Sequence, residues 1–139
     1  MAAFFPLESE NIIAKLVFGK SSSDIGVPGV YKIGLYSNAT GTLNNASALV
    51  DILEVPTAGN LGYAAITSSV NDWAVVASTA TTTKTFAATS NWSTVVRGYY
   101  VATIPTAGGA SRLLFCQDDG PYTFLASSTY EVTLNISIS

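Results

Sequence analysis

Apolar and polar residues alternate along most of this chain, and turn-forming residues interrupt the alternation at short intervals. Tyr31, Ile33 and Leu35 fall on one side of segment 30–36, the two-residue period of a strand with one buried face. Segment 129–138 sets Tyr130, Val132, Leu134, Ile136 and Ile138 against Glu131, Thr133, Asn135 and Ser137, again with period two. Segments 63–67, 73–77, 84–88, 95–104 and 112–117 also read as strands. Pro105 stops the fourth of these, because proline has no N–H to give a ladder. Asp118-Asp119-Gly120-Pro121 reads as a hairpin turn closing the fifth. Segment 48–55 is apolar but broken by Asp51 and Glu54, and Pro56 ends it. Residues 21–29 and 37–47 are loops rich in Ser, Gly, Asn and Thr.

Residues 8–19 differ. Ile12, Ile13, Leu16 and Val17 fall at helical spacing, Ser9 suits an N-cap and Gly19 a stop. The same run also reads as alternation at Ile12, Ala14, Leu16 and Phe18. Glu8 and Glu10 favour the helix, since acidic groups stabilise a helix N-terminus. The predicted fold is therefore all-β, an antiparallel sandwich or barrel of about eight short strands after one short helix. We divide the chain into an N-terminal arm and helix, 1–20, and a β domain, 21–139.

Composition narrows the field. A chain of 139 residues suits one domain with its own core. Charged residues make up only 11%, well under the usual share of about 25%, so solubility rests on hydroxyls and amides. Six basic residues against nine acidic ones are too few for the basic stripe of a nucleic-acid binder, so no nucleic-acid partner is expected. The chain has no His, which removes Ser-His-Asp and Cys-His catalysis and most zinc sites. Its one Cys, Cys116, has no partner for an intramolecular disulfide, and reads as a buried, inert thiol. No apolar window approaches the roughly 20 residues of a membrane-spanning helix, so no membrane partner is expected. The start lacks the basic region and cleavage site of a signal peptide.

Several phrases occur together in order: Phe5-Pro6 with Glu10-Asn11-Ile12, then Ile33-Gly34-Leu35-Tyr36-Ser37-Asn38, Asp51-Ile52-Leu53-Glu54, Gly62-Tyr63-Ala64 and Trp73. Trp92, Gly98-Tyr99-Tyr100-Val101, Leu113-Leu114-Phe115 and Asp119-Gly120-Pro121-Tyr122 follow, before the closing alternating strand. In this the chain resembles a family of tailed-phage structural domains, found as capsid cement (decoration) proteins and as modules of tail fibres. The family often has Arg where Ala65 stands. The resemblance covers nearly the whole chain and implies a jelly-roll-like β-sandwich in a virion component.

The candidate chemistry is thin. Asp51 and Glu54 resemble a glycosidase pair, but in an extended segment their side chains would point to opposite faces, and they read as turn and edge carboxylates. Asp118 and Asp119 offer oxygens to Ca²⁺ but lack further acidic ligands, and read as hairpin residues. We expect no catalytic residue, no metal and no cofactor, hence no enzyme. Trp92, Tyr99 and Tyr122 are candidates for an exposed aromatic interface such as a sugar-stacking platform, and read otherwise as core and subunit packing; Tyr100 falls on the face opposite Tyr99. Phe4, Phe5 and Leu7 form an apolar stretch that, left in water, is a patch needing a cover; it reads equally as a docking arm or as a cover for its own domain.

The expected function is that of a capsid cement protein on the outer surface of the virion head, bound to the major capsid protein. The resemblance further implies a homotrimer. The alternative is a receptor- or glycan-binding module of a tail fibre or tailspike, with a host-surface glycan as partner.

Overall fold

The computed structural model describes Pro6 and residues 28–77, 79–105 and 110–137. The expected helix at 8–19, and Phe4, Phe5 and Leu7, lie outside the described residues. Within them the fold is all-β, with two antiparallel sheets. Seven strands are described: β1 (Pro28–Tyr36), β2 (Ile66–Ser69), β3 (Ala74–Val76), β4 (Thr79–Ala87), β5 (Val96–Pro105), β6 (Leu113–Tyr122) and β7 (Thr129–Ser137). One sheet runs β2-β1-β5-β6 and the other β3-β4-β7.

One core joins the sheets. Ile33 and Leu35 of β1, Tyr99 and Val101 of β5 and Phe115 of β6 meet Phe86 of β4 and Val132 and Leu134 of β7 in a single buried cluster. The period-two reading thus places the buried side chains of β7 and the inter-sheet face of β1, but β1 is not the half-buried strand expected, since Tyr36 on its other face is buried too. The four-stranded sheet is buried on its other face as well. There Tyr36, Tyr100, Ala102, Leu113 and Cys116 pack with Leu43, Leu49 and Ile52 from the segment that follows β1. A sheet covered on both sides excludes a simple alternation of buried and solvated residues, which is why Tyr99 and Tyr100, on opposite faces, are both buried.

Two glycines set the spacing of that second face. Gly34 lies opposite Tyr100, and Gly98 lies opposite Tyr36, across the antiparallel β1–β5 pair. A Cβ on Gly34 would meet the Tyr100 ring at 2.6 Å, and one on Gly98 would meet the Tyr36 ring at 2.3 Å. Each tyrosine ring therefore lies across the glycine of the partner strand.

Several predicted boundaries move. The strand expected at 63–67 begins at Ile66. The strand expected at 84–88 starts earlier, at Thr79, carried by a threonine run that suits a pleated surface. Segment 48–55 forms no strand; it holds a 3-10 turn, Leu49–Asp51, and one bridge from Glu54 to Tyr36. The largest correction is at Asp118-Asp119-Gly120-Pro121, which is not a hairpin turn. β6 runs through it to Tyr122, which pairs with Val96 across a shift in register. Pro121 is tolerated because β6 is an edge strand of the sheet as described.

Candidate functional site

Three features of the described surface are candidates for contact with another molecule. The first is an apolar groove of about 270 Å³ between the sheets, where β1 begins and β7 ends. Tyr31, Val75, Ala80, Val101, Leu114 and Ile136 line it together with Trp73. Val75 and Val76 on β3 are 68% and 76% exposed. The Trp73 ring meets Tyr31 edge-on at 5.8 Å. Its indole N–H is buried and has no hydrogen-bond partner among the described residues.

The second is the opposite, aromatic end. Trp92 lies between two loops, its indole N–H donating to the Leu61 carbonyl at 3.0 Å and its ring 4.8 Å from Phe124. Tyr63 meets both Phe86 and Trp92, and Phe124 and Tyr130 meet Tyr122. Asn60 is fully buried and ties the loops together: its amide donates to the Pro56 carbonyl and the Thr94 hydroxyl, and its carbonyl accepts from the Thr94 N–H. Leu61 and Leu125 are exposed on this framework by 61% and 59%.

The third is the segment after β1. Asn38 closes its neck, donating to the Asp51 carbonyl at 2.8 Å and accepting from the Leu53 N–H at 2.7 Å. Residues 38–53 therefore form an Ω-loop, a compact excursion whose ends meet. The loop presents a polar concavity of about 500 Å³ lined by Asn38, Asn44, Ser47 and Asp51 among others. Much of that polarity is spent internally. The Asn44 side chain accepts from the Ala46 N–H, Ser47 Oγ from the Asn44 N–H, and Asp51 from the Ala48 N–H. Val50 and Leu53, 89% and 60% exposed, flank it.

The residues singled out in the sequence distribute differently. Trp92 and Tyr99 are core residues, 5% and 6% exposed, which corrects their assignment to an exposed interface. Trp92 is needed as a hydrogen-bonded plug between loops, and Tyr99 stacks on Phe115 at 6.4 Å. Tyr122 alone of the three reaches solvent, at 40%. Asp51 and Glu54 do not converge: Asp51 caps the 3-10 turn, while Glu54 accepts from Lys32 at 2.6 Å and from the Tyr63 hydroxyl at 3.1 Å. Asp118 and Asp119 lie on successive strand positions and turn to opposite faces. Asp118 accepts from the Tyr36 hydroxyl at 2.7 Å and the Gly41 N–H at 2.9 Å. Asp119 accepts from the hydroxyls of Tyr122 and Tyr130. Two carboxylates so divided cannot share a cation, and the described residues contain no cluster of metal-ligating side chains.

Burial governs the acid–base behaviour. It pushes the Cys116 thiol up to about 12, with the Asp118 charge adding to it, so the thiol stays protonated and unreactive. The phenols of Tyr36, Tyr63, Tyr100 and Tyr130 are raised for the same first reason, and neighbouring carboxylates add to it. Val50, Leu53, Leu61 and Leu125 lie outside the strands, and Val75 and Val76 are adjacent on β3, so no periodic pattern in the sequence marked them as exposed. No helix among the described residues is long and apolar enough to cross a membrane. No family model, no curated protein and no solved structure matches the chain.

Proposed function

We propose that this chain is a structural protein of a phage particle: a capsid cement protein that binds the major capsid protein on the outer head surface and reinforces the shell. Its role is mechanical rather than catalytic. The observation that carries the reading is the exposure of large apolar side chains on a chain with few charges. Val50, Leu53, Leu61, Val75, Val76 and Leu125 each expose more than half of their surface. Such side chains, spread over a low-charge surface, suit burial against other subunits. The chain visits the sheets in pairs, β1-β2, β3-β4, β5-β6 and then β7, a succession compatible with a jelly-roll-like sandwich.

In this reading the protein is a homotrimer. Phe4, Phe5 and Leu7 anchor it to the capsid, each contributing about 1.5–3 kcal/mol if fully buried, multiplied by the copies in the oligomer. The test uses bare shells of the capsid protein from the phage that encodes this chain. Wild-type protein is expected to decorate them, to survive high salt because the contact is apolar, and to scatter light as three chains. The double change Phe4→Asp with Phe5→Asp is expected to leave fold and oligomer mass intact and to abolish decoration. Full decoration by the double mutant would move the docking surface onto the β domain. A copy number matching the tail rather than the head would favour a tail-fibre module that binds a host-surface glycan.

A further inference from the structure

We propose that the Ω-loop 38–53 is a hinged strap, closed over the outer face of the four-stranded sheet by a clasp at Asp118, which opens as a unit while the rest of the domain stays folded. The hinge is the neck. The Ser37 N–H donates to the Leu53 carbonyl at 2.9 Å, and the two Asn38 bonds join the same strands of the loop. These bonds can persist while the tip swings.

The clasp is one carboxylate used on both oxygens. Asp118 Oδ1 is held by the Tyr36 hydroxyl, which orients it, and Oδ2 accepts the Gly41 N–H near the tip. A charged acceptor makes the stronger kind of hydrogen bond, and it holds the tip, while Leu43, Leu49 and Ile52 pack the strap on the sheet. Lys32 and Glu54, paired at 2.6 Å, flank the strap where it rejoins β1.

Two observations mark the strap as a separate unit. Its seat is not sealed: an open pocket of about 170 Å³ separates Leu49 and Ile52 of the strap from Tyr100, Ala102 and Thr103 of β5, with Lys32 and Glu54 at its side. The strap also exposes most of its tip: residues 39–42, 44–46, 50, 51 and 53 face solvent, while Asn38, Leu43 and Ser47 are buried and Ala48, Leu49 and Ile52 are half-buried. Segments with few buried contacts open at lower free energy than the core. Opening bares a strip of Tyr100, Ala102, Leu113 and Cys116.

Cys116 reports the opening, being the chain's one cysteine and fully buried under the closed strap. The experiment is labelling of the folded protein by an uncharged maleimide at pH 8 across low urea concentrations, with far-UV dichroism and tryptophan fluorescence followed in parallel. Labelling is expected to proceed in water with a weak dependence on urea, through an opening smaller than global unfolding. Asp118→Asn, which removes the charged acceptor, is expected to raise the labelling rate about tenfold, what the loss of one good hydrogen bond is worth, with both spectra unchanged. Hydrogen exchange on the wild-type protein keeps the test independent of that variant: the Gly41 amide, whose acceptor is Asp118, is expected to exchange ahead of the amides of β5. Labelling and Gly41 exchange that follow the urea slope of global unfolding would overturn the proposal. So would an Asp118→Asn protein that folds and labels at the wild-type rate.

Discussion

At the scale of single residues, stability rests on close approaches and on paired polar groups. Gly98 has no room for a Cβ, with the Tyr36 ring and the Gln117 carbonyl both at 2.3 Å from where it would stand. Gly98→Ala is expected to destabilise the domain by about 1–3 kcal/mol, the usual cost of overpacking, measured by urea denaturation. The two tryptophans offer a matched pair. Trp92 donates to Leu61, while the Trp73 indole N–H is buried without a partner among the described residues. Phenylalanine removes the N–H from each, so Trp92→Phe is expected to cost more than Trp73→Phe by about 1–3 kcal/mol. Equal losses would mean that the Trp73 nitrogen has an acceptor. The glycine–tyrosine pairs were legible in principle: Gly34-Leu35-Tyr36 and Gly98-Tyr99-Tyr100 carry the same spacing, and antiparallel pairing brings each glycine opposite the other's tyrosine. What hid this was register, which no local pattern states.

At the scale of elements, strands with one buried side announce themselves and irregular segments do not. β7 was readable because alternation follows from the pleat, and so was the inter-sheet face of β1, although β1 is buried on its other face as well. β6 was misjudged at its end, since Asp-Asp-Gly-Pro is turn chemistry in isolation. Its carboxylates instead find hydroxyl donors on β1 and β7, through Tyr36 and Tyr130, and β5 carries the strand on to Tyr122. The loops at the aromatic end depend on Asn60, whose amide stands in for a missing strand partner. Asn60→Ala is expected to cost about 2–3 kcal/mol, since the Thr94 N–H and the Pro56 carbonyl lose their shared partner in a buried site. Asn60→Asp is expected to cost more, because it turns a carboxylate toward the Pro56 carbonyl. Thermal unfolding of both variants checks the order.

At the scale of the whole molecule, all seven tyrosines have raised pKa values, with burial the first cause for every one but Tyr122. The Tyr122 phenol is raised first by its hydrogen bond to Asp119. An unfolded chain releases its phenolic protons as pH passes about 10. The folded chain keeps them, so above that pH it holds more protons than the unfolded one and loses stability as pH rises. The urea midpoint is expected to stay level from neutral pH to about 9 and to fall steeply above about 10. Tyrosinate absorbance should appear with unfolding. Smooth ionisation of most phenols near pH 10 with unchanged dichroism would contradict this burial.

The sequence by itself determined the class of fold and the inward face of its clearest strands. Period-two burial and turn punctuation are local properties, set by the pleat and by the backbone preferences of single residues. It also determined the scarcity of charge and the lack of histidine. Only the tertiary structure decided that the four-stranded sheet is covered on both faces, and that Trp92 and Tyr99 fill the core rather than the surface. It alone set Asp118 to hold a distant loop. Each of these depends on which segments lie opposite one another across tens of residues, and a side chain's burial is a property of its neighbours in space, not of its neighbours along the chain.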